Sequence, residues 1–337
     1  MLYVVIVYLW AAILLYLLLG GADFGAGIIE FFTSRNNRGR TRRTMYQAIG
    51  PVWEANHMWL IITIVILFVG FPKIYATLSV YLHIPLTAML LGIIARGTAF
   101  VFRNYDAVKD DMQKVYNRIF IYSSVITPFF LGIIAASTVS RNVDVMAQDF
   151  LSAYIFSWLN WFSVTVGLFT VCICGFLAAG YIIGETDSVE DRQFFARKAK
   201  WMIVSAVLCG ILVFLASFKE NVPLAEWIFG KAPGIFAIAA ASLSLPFLWY
   251  GLTHGKAIIV RLLGGFEICM ILFAVTYRHF PNIVLLKGGG HLSLIEHQGQ
   301  EKAIVSLAWA LLIGSIFILP ALGYLMYSFE KKKPREA

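Results

Sequence analysis

Apolar runs of about twenty residues or more recur about nine times along this chain, near 3–31, 51–71, 75–102, 118–138, 152–183, 201–218, 234–253, 258–278 and 303–328. A helix needs about 20 such residues to cross a bilayer. In hydrocarbon every backbone N–H and C=O must also be satisfied within the structure, so the runs read as helices. The expected fold class is all-α and integral to the membrane, with about nine transmembrane helices in a single polytopic domain over 1–337. Only 14% of the 337 residues are charged, against roughly 25% in a soluble domain, and no long segment is left over for a soluble core. The first run begins almost at Met1, has no basic stretch before it and continues into a polar motif, so a retained helix is expected there and not a cleaved signal.

The net charge of +8 raises the question of nucleic acid, and the placement of the cations answers it. Arg35, Arg38, Arg40, Arg42 and Arg43 follow the first run; Arg103, Lys109, Lys114 and Arg118 follow the third. On the same side come Arg192, Arg197, Lys198 and Lys200, then Lys256 and Arg261, then Lys331, Lys332, Lys333 and Arg335. The other side holds Lys73, Arg141, Lys219, Lys231, Arg278, Lys287 and Lys302. Short cytoplasmic loops retain positive charge, so this asymmetry predicts an outside N-terminus, a cytoplasmic C-terminus and an odd number of spans. The basic clusters are topology signals, and no nucleic-acid partner is expected. Cys172, Cys174, Cys209 and Cys269 all lie in apolar stretches without metal-ligand spacing; they read as packing residues, and no metal site is expected.

A charge in the hydrocarbon region costs at least ~2.5–3.5 kcal/mol and needs a partner, a wet cavity or a function. The first run ends in Gly21, Ala22, Asp23, Phe24, Gly25; the second opens with Trp53, Glu54, Ala55, Asn56, His57, Met58, Trp59; the third closes with Arg96. At ~1.5 Å per residue, Asp23, Glu54 and Arg96 each fall on the order of 10 Å from the same interface, so one buried cluster is expected. Two acids and one guanidinium leave it net negative, a candidate proton acceptor, and His57, one helical turn from Glu54, could extend a relay. The alternative is a structural ion pair between Arg96 and one acid. Gly21 and Gly25 form a small-xxx-small pair suited to close helix packing. Glu267 is open between a second proton site and a packing acid. His83 is a lone histidine, open between a core hydrogen-bonding role and haem ligation. The segment 279–302, with Gly288, Gly289 and Gly290, is expected to form a surface loop.

Taken together, GADFGAG at 21–27, IGPVWEANHMWL at 49–60, FP at 71–72 and RGTAFVFR at 96–103 resemble subunit II of cytochrome bd-type quinol oxidases. The resemblance implies two four-helix bundles, about 1–140 and about 150–330, the latter range including one peripheral helix. It also implies a larger partner, subunit I, that carries haem b and haem d and the quinol site, with no cofactor bound by this chain. The complex would sit in the bacterial inner (plasma) membrane, oxidise quinol and reduce oxygen to water. Further partners would be quinone, lipids and a small accessory subunit. Glu54 matches the family's motif acid, for which a role in a proton path is proposed; Asp23, His57 and Arg96 extend that path by the depth argument, and Trp53, Asn56 and Trp59 complete the motif. Two other readings are kept: a proton-coupled membrane transporter, and a purely structural chain that holds its partner in place.

Overall fold

A computed structural model describes residues 1–50, 53–105, 112–186 and 188–331. Pro51, Val52, Lys109, Lys332, Lys333 and Arg335, used above, lie outside the described residues. Among the described residues nine helices are long and apolar enough to cross a membrane. They are α1 (Leu2–Phe31), α3 (Trp53–Gly70), α5 (His83–Tyr105), α6 (Met112–Val139), α8 (Trp161–Ile183), α9 (Val189–Lys219), α11 (Ala232–Thr253), α12 (Ala257–Thr276) and α13 (Glu301–Lys331). Shorter helices are α2 (Arg38–Ile49), α4 (Pro72–Tyr81), α7 (Phe150–Tyr154) and α10 (Leu224–Phe229). Two spans contain a widened π-turn, Tyr16–Gly20 in α1 and Ile66–Gly70 in α3.

Several boundaries differ from the hydropathy reading, each for a local reason. The run 75–102 is not one helix, because Pro85 has no N–H to offer the carbonyl of Tyr81. The helix stops at Tyr81, Leu82 leaves helical geometry (φ −112°, ψ 21°), and α5 restarts at His83. The run 152–183 divides at Asn160, whose side chain accepts from the Ser163 N–H at 2.8 Å and caps α8. Ser188 caps α9 well before the predicted start at 201, since Ser followed by Glu190 and Asp191 favours a helix N-terminus even in a polar stretch. The 31 residues of α9 reach ~46 Å, so about ten of them project beyond the ~30 Å hydrocarbon layer.

The segment 279–302 is not an irregular loop. It carries an antiparallel hairpin, β1 (Asn282–Leu285) with β2 (His291–Ser293), turned through Gly288 and Gly289 at φ 79° and 88°. Only glycine adopts that conformation without strain. Val284, Leu292 and Leu294 face inward and pack with Val5, Phe71 and Ile304, closing one end of the helices.

The core is centred on α8, the most enclosed span. Phe24, Ile28 and Trp59 meet Cys174, Ala178 and Ile182 of α8, with Phe195 and Ala199 of α9 behind them. Helices in lipid associate through close van der Waals contact, which small residues permit. At Gly25 the backbone of α1 lies directly on the Cys174 carbonyl; an added Cβ would sit 2.6 Å from the Ala178 Cβ.

Candidate functional site

The polar residues that α1, α3, α5 and α6 enclose form two rungs, one helical heptad apart. In the first, Asp23 and Arg96 are each 1% exposed. Both carboxylate oxygens of Asp23 lie 3.1 Å from Nδ2 of Asn56, which donates to them from α3. The Arg96 guanidinium does not bridge to that carboxylate. Its Nη2 donates to the backbone carbonyl of Asp23, its Nε donates to Ser124 Oγ at 3.2 Å, and its plane lies 5.2 and 5.1 Å from the rings of Phe24 and Phe120. Arg96 thus fixes the α1 backbone and leaves the acid to Asn56. The ion pair weighed at the sequence level is replaced by a backbone contact.

Glu54 does not join this group. It lies in the first turn of α3 and is exposed, whereas Asn56, two positions on, points inward. Two residues along a helix are ~200° apart, so Glu54 and Asn56 occupy opposite faces. The depth estimate could not see this rotation, and the expectation of a single Asp23–Glu54–Arg96 cluster is corrected accordingly. His57 sits beside the rung, its ring 6.2, 5.8 and 6.2 Å from those of Tyr16, Phe24 and Trp53. His57 Nδ1, Tyr16 Oη and Trp59 Nε1 are buried without a hydrogen-bond partner among the described residues, an arrangement that bound water commonly satisfies. Trp53 packs on Phe100 at 5.0 Å. Gly21 of the motif faces Leu177 and Cys174.

The second rung was missed. Glu30, 1% exposed, accepts from Arg103 Nη1 at 2.9 Å on one oxygen and from Arg42 Nε and Nη2 at 3.1 and 2.8 Å on the other. Arg103 lies 3.9 Å over the Phe120 ring. A signal existed: Asp23 to Glu30 and Arg96 to Arg103 are both seven residues, two helical turns, so each pair shares a face. Arg103 reads as a loop cation only if its helix stops there.

Asp23 and Asn56 also form the floor of a 210 Å³ cleft between α1, α8 and α12, walled by Leu19, Phe176 and Gly264 and reaching Arg261 on the basic side. Arg261 donates to Glu185 and to the Tyr181 carbonyl, each at 2.8 Å. The buried acid and Arg261 thus line one apolar-walled hollow. The remaining candidates are local. Glu267 accepts from Ser244 Oγ at 2.7 Å. His83 is exposed at the start of α5 with Nδ1 2.8 Å from the Val80 carbonyl. The four cysteines are free, Cys172 and Cys209 having their sulfurs 3.8 Å apart.

The family model described as cytochrome bd terminal oxidase subunit II matches residues 1–329. The chain belongs to that family. Among curated relatives, cytochrome bd ubiquinol oxidase subunit 2 of Bacillus subtilis is 32% identical over 199 residues, 59% of this chain and 57% of the relative. The match thus spans a little over half of that relative's length. Cytochrome bd-I ubiquinol oxidase subunit 2 of Escherichia coli K12 is 25% identical over 279 residues, 73% of each chain. In fold, the chain resembles a chain of the bd oxidase from Geobacillus thermodenitrificans, with a TM-score of 0.77, 18% identity, and 98% of this chain and 100% of that one covered. The chain is thus a multi-pass bacterial membrane protein of this family, as the motifs suggested.

Proposed function

We propose that this chain works as subunit II of a quinol-oxidising, oxygen-reducing complex, packed against a haem-bearing subunit I, and that it conducts protons from the cytoplasmic side. The family match over 1–329 carries the assignment. In this reading haem b, haem d and the quinol site belong to the partner and supply the electron transfer and oxygen chemistry; this chain alone is not catalytic. The N-terminus lies outside and the C-terminus in the cytoplasm of a bacterial inner membrane.

Two acids serve the proton role differently. Asp23, at the floor of a cleft that reaches the Arg261–Glu185 pair, receives protons from the basic surface. Arg96 holds the α1 backbone so that the carboxylate stays against Asn56, and His57 with Tyr16 offers further sites for bound water. Glu54, exposed in the first turn of a membrane helix, is too costly to leave facing lipid; a partner subunit covering that face would shelter it and complete the path there. A transporter reading has no observation in its favour beyond the acid itself.

The test is purification of the tagged chain from native membranes in mild detergent. Haem b and haem d bands in stoichiometric amount, with a second large subunit, are expected; a folded, haem-free, partnerless chain would overturn the assignment. In the same complex, Asp23→Asn and Glu54→Gln should each slow proton uptake coupled to oxygen consumption. Unchanged uptake in both would leave the chain a structural subunit.

A further inference from the structure

We propose that the groove between the cytoplasmic ends of α9 and α11 is a binding site for the headgroup and first chain carbons of an anionic phospholipid. Two adjoining hollows form it. One, of 430 Å³, is lined by Arg192, Arg197, Lys200, Leu252 and Thr253; the other, of 260 Å³, by Arg197, Lys200, Trp201, Val204 and Trp249. Arg197 and Lys200 belong to both, so a phosphate held between them can lie in the polar hollow while an acyl chain follows the apolar one.

The depth is right for a headgroup. Counting ~30 Å of hydrocarbon back from Lys219 at ~1.5 Å per residue puts the inner boundary near residue 199. Arg192 and Arg197 then stand in the headgroup layer, and Lys200 and Trp201 at its edge. Trp249 and Tyr250 end the neighbouring span at the same level, where amphipathic rings anchor helices. Trp201 is 69% and Trp249 42% exposed, and Lys200 Nζ lies 5.1 Å from the Trp249 ring, so that cation spans the two hollows. Lys256 adds a further charge beside Tyr250, 5.2 Å from its ring.

Among the described residues the acids close by in sequence are engaged elsewhere. Glu190 and Asp191, the acids nearest in sequence, are both engaged by Arg40, and Glu185 by Arg261. Lys198 turns to another face and donates to the Phe32 carbonyl. Among the described residues no carboxylate lies within ion-pair distance of Arg197 or Lys200. Arg192 gives its Nε to the Thr186 carbonyl at 2.8 Å, while Arg197 and Lys200, without a carboxylate partner among the described residues, stand above an exposed aromatic and aliphatic groove that matches a negatively charged lipid and disfavours a zwitterionic one.

The assembled complex, reconstituted in nanodiscs of phosphatidylcholine, is titrated with phosphatidylglycerol carrying brominated chains, and separately with brominated phosphatidylcholine. Tryptophan quenching is read, and the part lost in a Trp201→Phe, Trp249→Phe variant is assigned to the groove. That part should saturate at lower mole fraction for phosphatidylglycerol. Arg197→Gln and Lys200→Gln should each weaken the preference roughly five-fold, at about one elementary interaction per cation, with Lys200→Arg retaining it. Equal quenching by both lipids, a preference unchanged in both glutamine variants, or no quenching because another subunit covers the groove would overturn the proposal. So would displacement of the brominated lipid by millimolar inorganic phosphate, which would mark a site for the free anion.

Discussion

Replacing Glu30 by glutamine tests the second rung. The side chain keeps its shape, but one oxygen becomes an NH₂ group pointing at a guanidinium, and the buried charge that Arg103 and Arg42 share disappears. The two arginines differ in what they can do next. Arg42 has a side chain 31% exposed and can turn to water, while Arg103 is 3% exposed, lies on Phe120 and already has an unpartnered Nε. Breaking a buried pair by removing one partner costs about 3–5 kcal/mol, chiefly because the other charge is left uncompensated. Losing a partly exposed one costs about 1 kcal/mol or less. Glu30→Gln should therefore destabilise by about 3–5 kcal/mol, Arg42→Gln by about 1 kcal/mol, and a Glu30→Gln, Arg103→Gln double variant by less than the sum of its singles. The assay is unfolding of the purified complex in mild detergent with increasing dodecyl sulfate, followed by tryptophan fluorescence. If Glu30→Gln costs no more than Arg42→Gln, the electrostatic account of this rung is wrong.

Three other outcomes are expected. Asn56→Leu removes the donor to both Asp23 oxygens and should cost about 1–3 kcal/mol as an unmet buried acceptor, read in the same unfolding assay; no change would mean that water replaces the amide fully. Gly25→Val should prevent assembly, because the new Cβ falls 2.6 Å from that of Ala178; accumulation of spectrally normal complex at native yield would contradict the contact. His279, outside the spans, packs edge-on to Trp227 at 4.1 Å, and burial, then Arg141 and Arg278, lower its pKa to about 4. Its neutral form is favoured in the fold, so the unfolded state binds more protons between pH 6.5 and 4. Its contribution is whole above 6.5 and lost as pH falls through that window. The melting temperature of the complex should drop over it more steeply than in His279→Phe; parallel profiles would count against the burial.

Hydropathy made most of the architecture legible, because a bilayer imposes length and composition on every crossing segment. What escaped were features set by single backbone atoms. Pro85 divides a run that hydropathy alone reads as continuous, and Asn160 starts a helix inside another such run. The hairpin at 282–293 lies in a segment whose glycines read only as a loop. At the site, depth along the axis was readable but rotation about it was not. Asp23 and Arg96 came together as expected, while Glu54, at a similar depth, points the other way and Asn56 takes its place. The residue types alone could not assign Arg96 to a carbonyl instead of a carboxylate, since that choice depends on how closely α1 and α5 approach.

The π-turns at Tyr16–Gly20 and Ile66–Gly70 hold one residue more than an α-helix of the same rise would. Such a bulge absorbs the ~100° rotation that an added residue would otherwise impose on everything after it. A one-residue insertion taken up at either turn would leave Asp23 facing Asn56 and Gly70 facing Leu307. In an alignment of descendants, one-residue gaps in these two spans are expected to gather at those turns, and the motif acids should keep their facing partners across them.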